Sequence, residues 1–134
     1  MEPARLFVLL GTLNALLAVG LGAFAAHGLK GRLAPDSLAA FSTGVTYHFY
    51  HALALCLVAA WVRIVAKHLP WNHALSMAGI AFGLGILLFS GSLYALALGG
   101  PRWLGPVTPL GGLAFLAGWA LFAYGAFVDA GWRS

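Results

Sequence analysis

Apolar residues run through this chain in four long blocks, and the polar residues gather between them. The blocks cover residues 6–26, 45–65, 73–98 and 107–128, and none holds Lys, Arg, Asp or Glu except at its ends. Each is close to the roughly 20 apolar residues that a helix needs to cross a hydrocarbon core about 30 Å thick. Inside hydrocarbon a segment must satisfy its own backbone amides, which forces helices, and the blocks show no alternating strand pattern. The pattern predicts an all-α, polytopic membrane protein, an antiparallel four-transmembrane-helix bundle forming one domain over residues 1–134. Short connections make neighbouring spans antiparallel.

The longest connection reads GLKGRLAPDSLAAFSTG. Pro35 suits a first helical turn, and Leu38, Phe41 and Val45 form one stripe, so a short helix, interfacial or leading into the second span, is expected between spans one and two. His27 followed by Gly28 is read as the end of span one. Arg32 and Asp36 are placed to pair, although a surface pair contributes little. Trp71 and Trp103 fall at headgroup level. The opening MEPARLFVLLG, with AFA and AA behind it, offers a small-residue cleavage site of the signal-peptide kind. The length of the apolar block behind it argues instead for a retained anchor helix.

Composition sharpens this reading. Only 7% of the 134 residues are charged and 62% are hydrophobic, whereas about a quarter of a soluble domain is charged. The net charge of +4 comes from seven single Lys and Arg residues. No basic run points to nucleic acid, and the lipid bilayer is the partner implied. An even number of spans puts both termini on one side, with Arg5, Arg63, Lys67 and Arg133; Lys30, Arg32 and Arg102 fall on the other. This weak bias puts both termini in the cytoplasm. Cys56 is the single cysteine, which excludes an intrachain disulfide and a Cys-rich metal site.

Threading the spans gathers polar residues toward the membrane face opposite the termini. His27 ends span one, His48 and His51 open span two, Ser90, Ser92 and Tyr94 lie late in span three, and Thr108 and Pro109 open span four. The other half of the bundle carries Asn14 and Ser76 as its notable polar groups. The candidate cluster is therefore His27, His51, Tyr47, Ser90, Tyr94 and Thr108. His51 lies about 6 Å deeper than Tyr47 and is the first choice for a functional residue. One reading makes the imidazoles neutral groups bonding across the bundle, and it is preferred. A second gathers His27, His48 and His51 around Zn²⁺ or Cu²⁺, weakened by the missing thiolate and by having no carboxylate nearer than Asp36. A third is a proton relay or small-molecule pocket. No metal ligand set and no cofactor are assigned.

Glycine adds a packing signal. Gly111, Gly118 and Gly125 recur every seven residues in span four, and Gly79 and Gly83 make a GxxxG in span three. Small residues let helix backbones approach in lipid, so spans three and four are expected to pack tightly.

GAFAAHGL at 22–29, Tyr47 with His51 and the following ALAL, SGSLY at 90–94 and TPLGGLAFLAGW at 108–119 together resemble one family of small four-span membrane proteins. It is the family catalogued as domain of unknown function 423, which includes the transmembrane protein 256-like proteins. The resemblance touches all four spans and implies a bacterial inner-membrane or organellar protein without an established activity. His27, Gly28, His51, Ser90, Tyr94, Pro109, Gly111, Gly112 and Trp119 match its pattern, and His48 lies outside it.

An enzyme is not expected: there is no phosphate loop, no Ser-His-Asp set, and Asp36 and Asp129 are predicted on opposite faces. The preferred reading is an accessory or assembly subunit, acting as a homodimer or within a larger membrane complex. The alternative is a dimeric transporter or channel, or a metal or small-molecule binding protein, using the polar cluster.

Overall fold

The computed structural model describes residues 1–64 and 72–129. Expectations resting on Val65, Lys67, Trp71 and Arg133 lie outside them. Helix α1 (Pro3–Phe24) opens with Pro3, whose missing amide hydrogen is harmless in a first turn. It continues into a π-helical turn, Ala25–Leu29. Helix α2 (Pro35–Ile64) returns across the bundle. Helix α3 (His73–Gly85) is capped by Asn72, whose side chain accepts from the Ala74 amide. A second π-helical turn, Ile86–Ser90, joins α3 to α4 (Gly91–Ala97) without breaking the span. A 3-10 turn, Arg102–Leu104, leads into α5 (Val107–Asp129). Among the described residues four segments are long and apolar enough to cross a membrane: Pro3–Leu29, Pro35–Ile64, His73–Ala97 and Arg102–Val128.

The structure corrects one detail of the first connection and decides another. Gly28 does not end span one; it lies inside the π-helical turn, and the chain reverses at Gly31, whose φ of 81° suits glycine. The helix expected after Pro35 is not a separate interfacial one but leads into span two. Residues 35–44 are the first turns of α2, which at 30 residues is about 45 Å long and outreaches the hydrocarbon core. The stripe that suggested an interfacial helix packs inward. Phe41 is buried against Ala25 and Leu29, with Leu38 and Val45 beside it. Arg32 and Asp36 make no ion pair; the described ion pairs join Glu2 to Arg63 and, more loosely, to Arg5.

Helix α1 packs chiefly on α2, and α5 on α3, while α2 meets α3 and α4 between them. Glu2 with Arg63 at one place, and Asn72 donating to the Gly125 carbonyl at another, tie helix ends together on the face that carries the start of α1. The outer rows of α1 and α5, Leu13, Leu16, Leu113 and Leu116 among them, are exposed, as lipid-facing residues are.

The α3–α5 seam is built from two matched rows. Leu75, Phe82 and Phe89 recur every seven residues, as do Gly111, Gly118 and Gly125. Leu75 sits over Gly125, Phe82 over Gly118 and Phe89 over Gly111, the reversed order of an antiparallel pair. The Gly79–Gly83 pair, in contrast, does not face α5. Gly79 receives the ring of Phe7 from α1, and a methyl at Gly83 would meet nothing within 4 Å. The α5-facing side of α3 carries Leu75 and Phe82 together with Gly85, which receives the Phe115 ring, and Gly79 and Gly83 flank the seam.

Candidate functional site

An amide in the middle of an apolar span has to find partners, because hydrocarbon supplies none. Asn14 stands at that place in α1, and its partner is His48 of α2, only 2% exposed. His48 Nε2 lies 2.9 Å from Asn14 Oδ1, and His48 Nδ1 lies 2.9 Å from the Tyr94 hydroxyl of α4. The partners settle every proton. Asn14 Nδ2 donates to the Leu10 carbonyl at 2.8 Å, so Oδ1 is the end turned to His48 and must accept. His48 therefore carries its proton on Nε2, and Nδ1 accepts from the Tyr94 O–H. Tyr94, His48, Asn14 and the Leu10 carbonyl form one directed chain across three helices. Gly44 makes the chain fit: a methyl there would come within 2.8 Å of the Tyr94 ring.

Two more pairings hold α4 and the turn before it. Ser90, fully buried in the second π-helical turn, donates to the Gly44 carbonyl at 2.7 Å. Ser92 donates to the Phe89 carbonyl, so the Thr108 hydroxyl of α5 donates to Ser92. The turn that presents Ser90 to α2 thus also seats Phe89 on Gly111.

His51 belongs to a different neighbourhood. Its Nδ1 lies 2.7 Å from the Tyr47 carbonyl one turn back, and Trp119 Nε1 donates to its Nε2 at 3.2 Å. An indole can only donate and a carbonyl can only accept, so His51 is the Nδ1-protonated tautomer. Its ring lies flat on Phe115, with centroids 3.4 Å apart and planes 8° apart. Phe82 closes one edge at 5.7 Å. Outside this stack α2 and α5 part, leaving a groove of about 570 Å³ lined by Tyr47, Tyr50, Phe89, Phe115 and Trp119 among others.

The residues singled out in the sequence are therefore not one cluster. Tyr94 joins His48, Ser90 joins Gly44, Thr108 joins Ser92, and His51 joins Trp119, while Tyr47 stands on the rim of the groove. His27 is exposed at the end of span one and meets none of them. Among the described residues no three His, Cys, Asp or Glu side chains are grouped to hold a metal ion, so the His27–His48–His51 site does not form. Three residues advance about 300° around a helix, so His48 and His51 leave α2 about 60° apart, one toward α1 and α4 and one toward α5. The polar groups also reach deeper than the mouth of the bundle, because Asn14 and both α2 histidines sit near mid-helix. Sequence reasoning left Asn14 in the featureless half and His48 at the margin. The signal for Asn14 was present: a carboxamide at mid-span with apolar residues on both sides.

Residues 21–112 match the family described as "Protein of unknown function (DUF423)". The chain is similar to the UPF0382 membrane protein YwdK of Bacillus subtilis (strain 168), 47% identical over 91% of this chain and 96% of that one. It is similar also to the UPF0382 membrane protein SAB0533 of Staphylococcus aureus (strain bovine RF122 / ET3-1), 41% identical over 95% of this chain and 99% of that one. A third relative, the UPF0382 membrane protein SH2409 of Staphylococcus haemolyticus (strain JCSC1435), is 40% identical over 92% and 96% respectively. No solved structure matches.

Proposed function

The chain belongs to the DUF423 family, a membrane-protein family of unknown function, and from that premise we propose that it is an accessory or assembly subunit of the bacterial inner membrane with no catalysis of its own. The observation that carries this reading is the engagement of its buried histidine and serine side chains; among the described residues the Trp61 indole N–H is the buried polar group left without a partner. Both ring nitrogens of His48 and of His51 are engaged, and Ser90 and Ser92 each donate to a backbone carbonyl. A general base or a solute-binding residue needs a free lone pair or donor turned toward a cavity; these groups bond helix to helix instead. The Tyr94–His48–Asn14 chain ends on the Leu10 carbonyl, with no acceptor beyond it for a proton. Metal binding at the histidines is not part of the proposal.

The test is native electrophoresis of membranes in mild detergent, paired with solute uptake by vesicles that hold the purified protein. An accessory subunit is expected in a band well above its own dimer, with vesicles no leakier than empty ones. A lone monomer or dimer whose vesicles accumulate solute would overturn the reading in favour of transport. We place both termini in the cytoplasm, supported by Arg5 and Arg63 on their face. The single-cysteine variants Ala34→Cys and Ser134→Cys in a Cys56→Ala background test it. An impermeant maleimide added to whole cells is expected to label only the first, and labelling of the second would reverse the orientation.

A further inference from the structure

The α2–α5 groove has a shape and a chemistry that the hydrogen-bonded pairs do not explain. Its floor holds three rings in nearly one orientation, of which His51 and Phe115 are buried against each other and Tyr47 is exposed. His51 and Phe115 are stacked, and Tyr47 is tilted only 14° from His51 and 22° from Phe115, with centroids 6.1 and 6.4 Å away. Trp119 stands across them at 61° to His51 and forms a wall. We propose that this groove binds an uncharged lipophilic ring compound bearing a carbonyl, a molecule of the quinone type, with its ring against the exposed faces of Tyr47 and Trp119 and its tail in the bilayer.

Each part of that description answers to an observation. Among the described residues no charged one lines the groove, and a charged ligand would lie there without a partner. The N–H groups of His51 and Trp119 are already engaged. The hydroxyls of Tyr47 and Tyr50 are not: both residues line the groove, and neither hydroxyl has a protein acceptor among the described residues. They are donors in search of an acceptor, which a carbonyl oxygen supplies. Parallel aromatic faces favour a planar ring, whereas an acyl chain has no face to match. Size separates a small molecule from a protein partner. The groove is lined by nine residues, against roughly 20–30 a side in a stable protein–protein contact. Its volume of about 570 Å³ lies within the range of about 300–1,000 Å³ usual for small-molecule pockets. The proposal goes beyond the accessory reading and does not depend on it.

Gly112 gives the test. It lines the groove, and a methyl there would meet only Phe89 at 3.9 Å, an ordinary contact. A Cβ is therefore tolerated at this lining position, and leucine is chosen to extend from it toward the groove. The chain in lipid vesicles is titrated with the short-tailed quinone ubiquinone-1, and the quenching of Trp119 is isolated by difference from Trp119→Phe. Saturable quenching is expected in the native protein, weakened at least about tenfold by Gly112→Leu. The double variant Tyr47→Phe/Tyr50→Phe, at two exposed residues whose change leaves the fold alone, is expected to weaken it about threefold to tenfold, the loss of one neutral hydrogen bond. Quenching that rises linearly and is identical in the native protein and both variants would overturn the proposal. So would palmitate competing as well as a quinone with no effect of the tyrosine variant, which would make this an acyl-chain groove only.

Discussion

Gly111→Ala is expected to loosen the bundle by about 3 kcal/mol, the upper part of the range for overpacking a tight core. The added methyl would run into the backbone nitrogen and Cα of Phe89, not only its side chain. A flexible side chain can swing away; a helix backbone cannot, so α3 and α5 must separate. Separation would unseat Phe82 and Leu75 from Gly118 and Gly125 along the same seam. Gly112→Ala, one residue on, is the control. Its methyl finds ordinary contact, and alanine gains about 0.5–1 kcal/mol of helix propensity over glycine. Adjacent glycines should thus respond with opposite signs. The readout is the midpoint of unfolding by sodium dodecyl sulfate from mild detergent, followed by tryptophan fluorescence. Equal midpoints for the two alanine variants would refute the seam as described.

That seam illustrates what a membrane sequence discloses. Hydrophobicity separates inside from outside in water, but lipid is as apolar as a bundle core, so periodicity alone marks no inner face. The four spans were legible because length and charge depletion define them. The glycine row at 111, 118 and 125 was legible because small residues are costly without a neighbour to approach. Its complement, Leu75, Phe82 and Phe89, was hidden among equally apolar residues that face lipid. Gly79 and Gly83 had the spacing of a packing motif and yet only one of them packs, against α1. The polar residues were placed too near the mouth of the bundle and grouped as one cluster, since depth brings groups level but helix rotation decides which of them meet. His51 and Trp119 both belonged to the family resemblance, and their pairing required the rotation of α2 and α5 to be known. The first turns of α2 carried an apolar stripe that either an interfacial helix or a buried one would show; Phe41 against Ala25 and Leu29 decides for the buried one.

Replacing His48 by leucine is expected to destabilise the protein by about 2–4 kcal/mol, although the hydrogen bonds it makes are each worth little. Interhelical hydrogen bonds in membranes average about 0.6 kcal/mol, so removing two of them would cost about 1 kcal/mol if nothing else changed. Something else does change. Asn14 Oδ1 and the Tyr94 hydroxyl lose their partner together, and each buried orphan costs about 1–3 kcal/mol. The orphans, more than the lost bonds, set the magnitude. It follows that the triple variant Asn14→Leu/His48→Leu/Tyr94→Phe, which leaves no orphan, should return to within about 1 kcal/mol of the native protein. The chain carries its own reporter, because Cys56, its single cysteine, lies on α2 against Gly11 of α1, at the contact the clasp secures. Maleimide labelling of Cys56 in mild detergent should accelerate in His48→Leu and slow again in the triple variant. If the triple variant labels as fast as His48→Leu, the imidazole acts through its shape and the directed chain of hydrogen bonds is not what joins the three helices. If both label at the native rate, α1 is held by its Gly11 contact and the rest of its apolar face, and the clasp is dispensable. The expected non-additivity separates these outcomes, since packing losses accumulate with each truncation whereas orphaned polar groups disappear when their partners are removed with them.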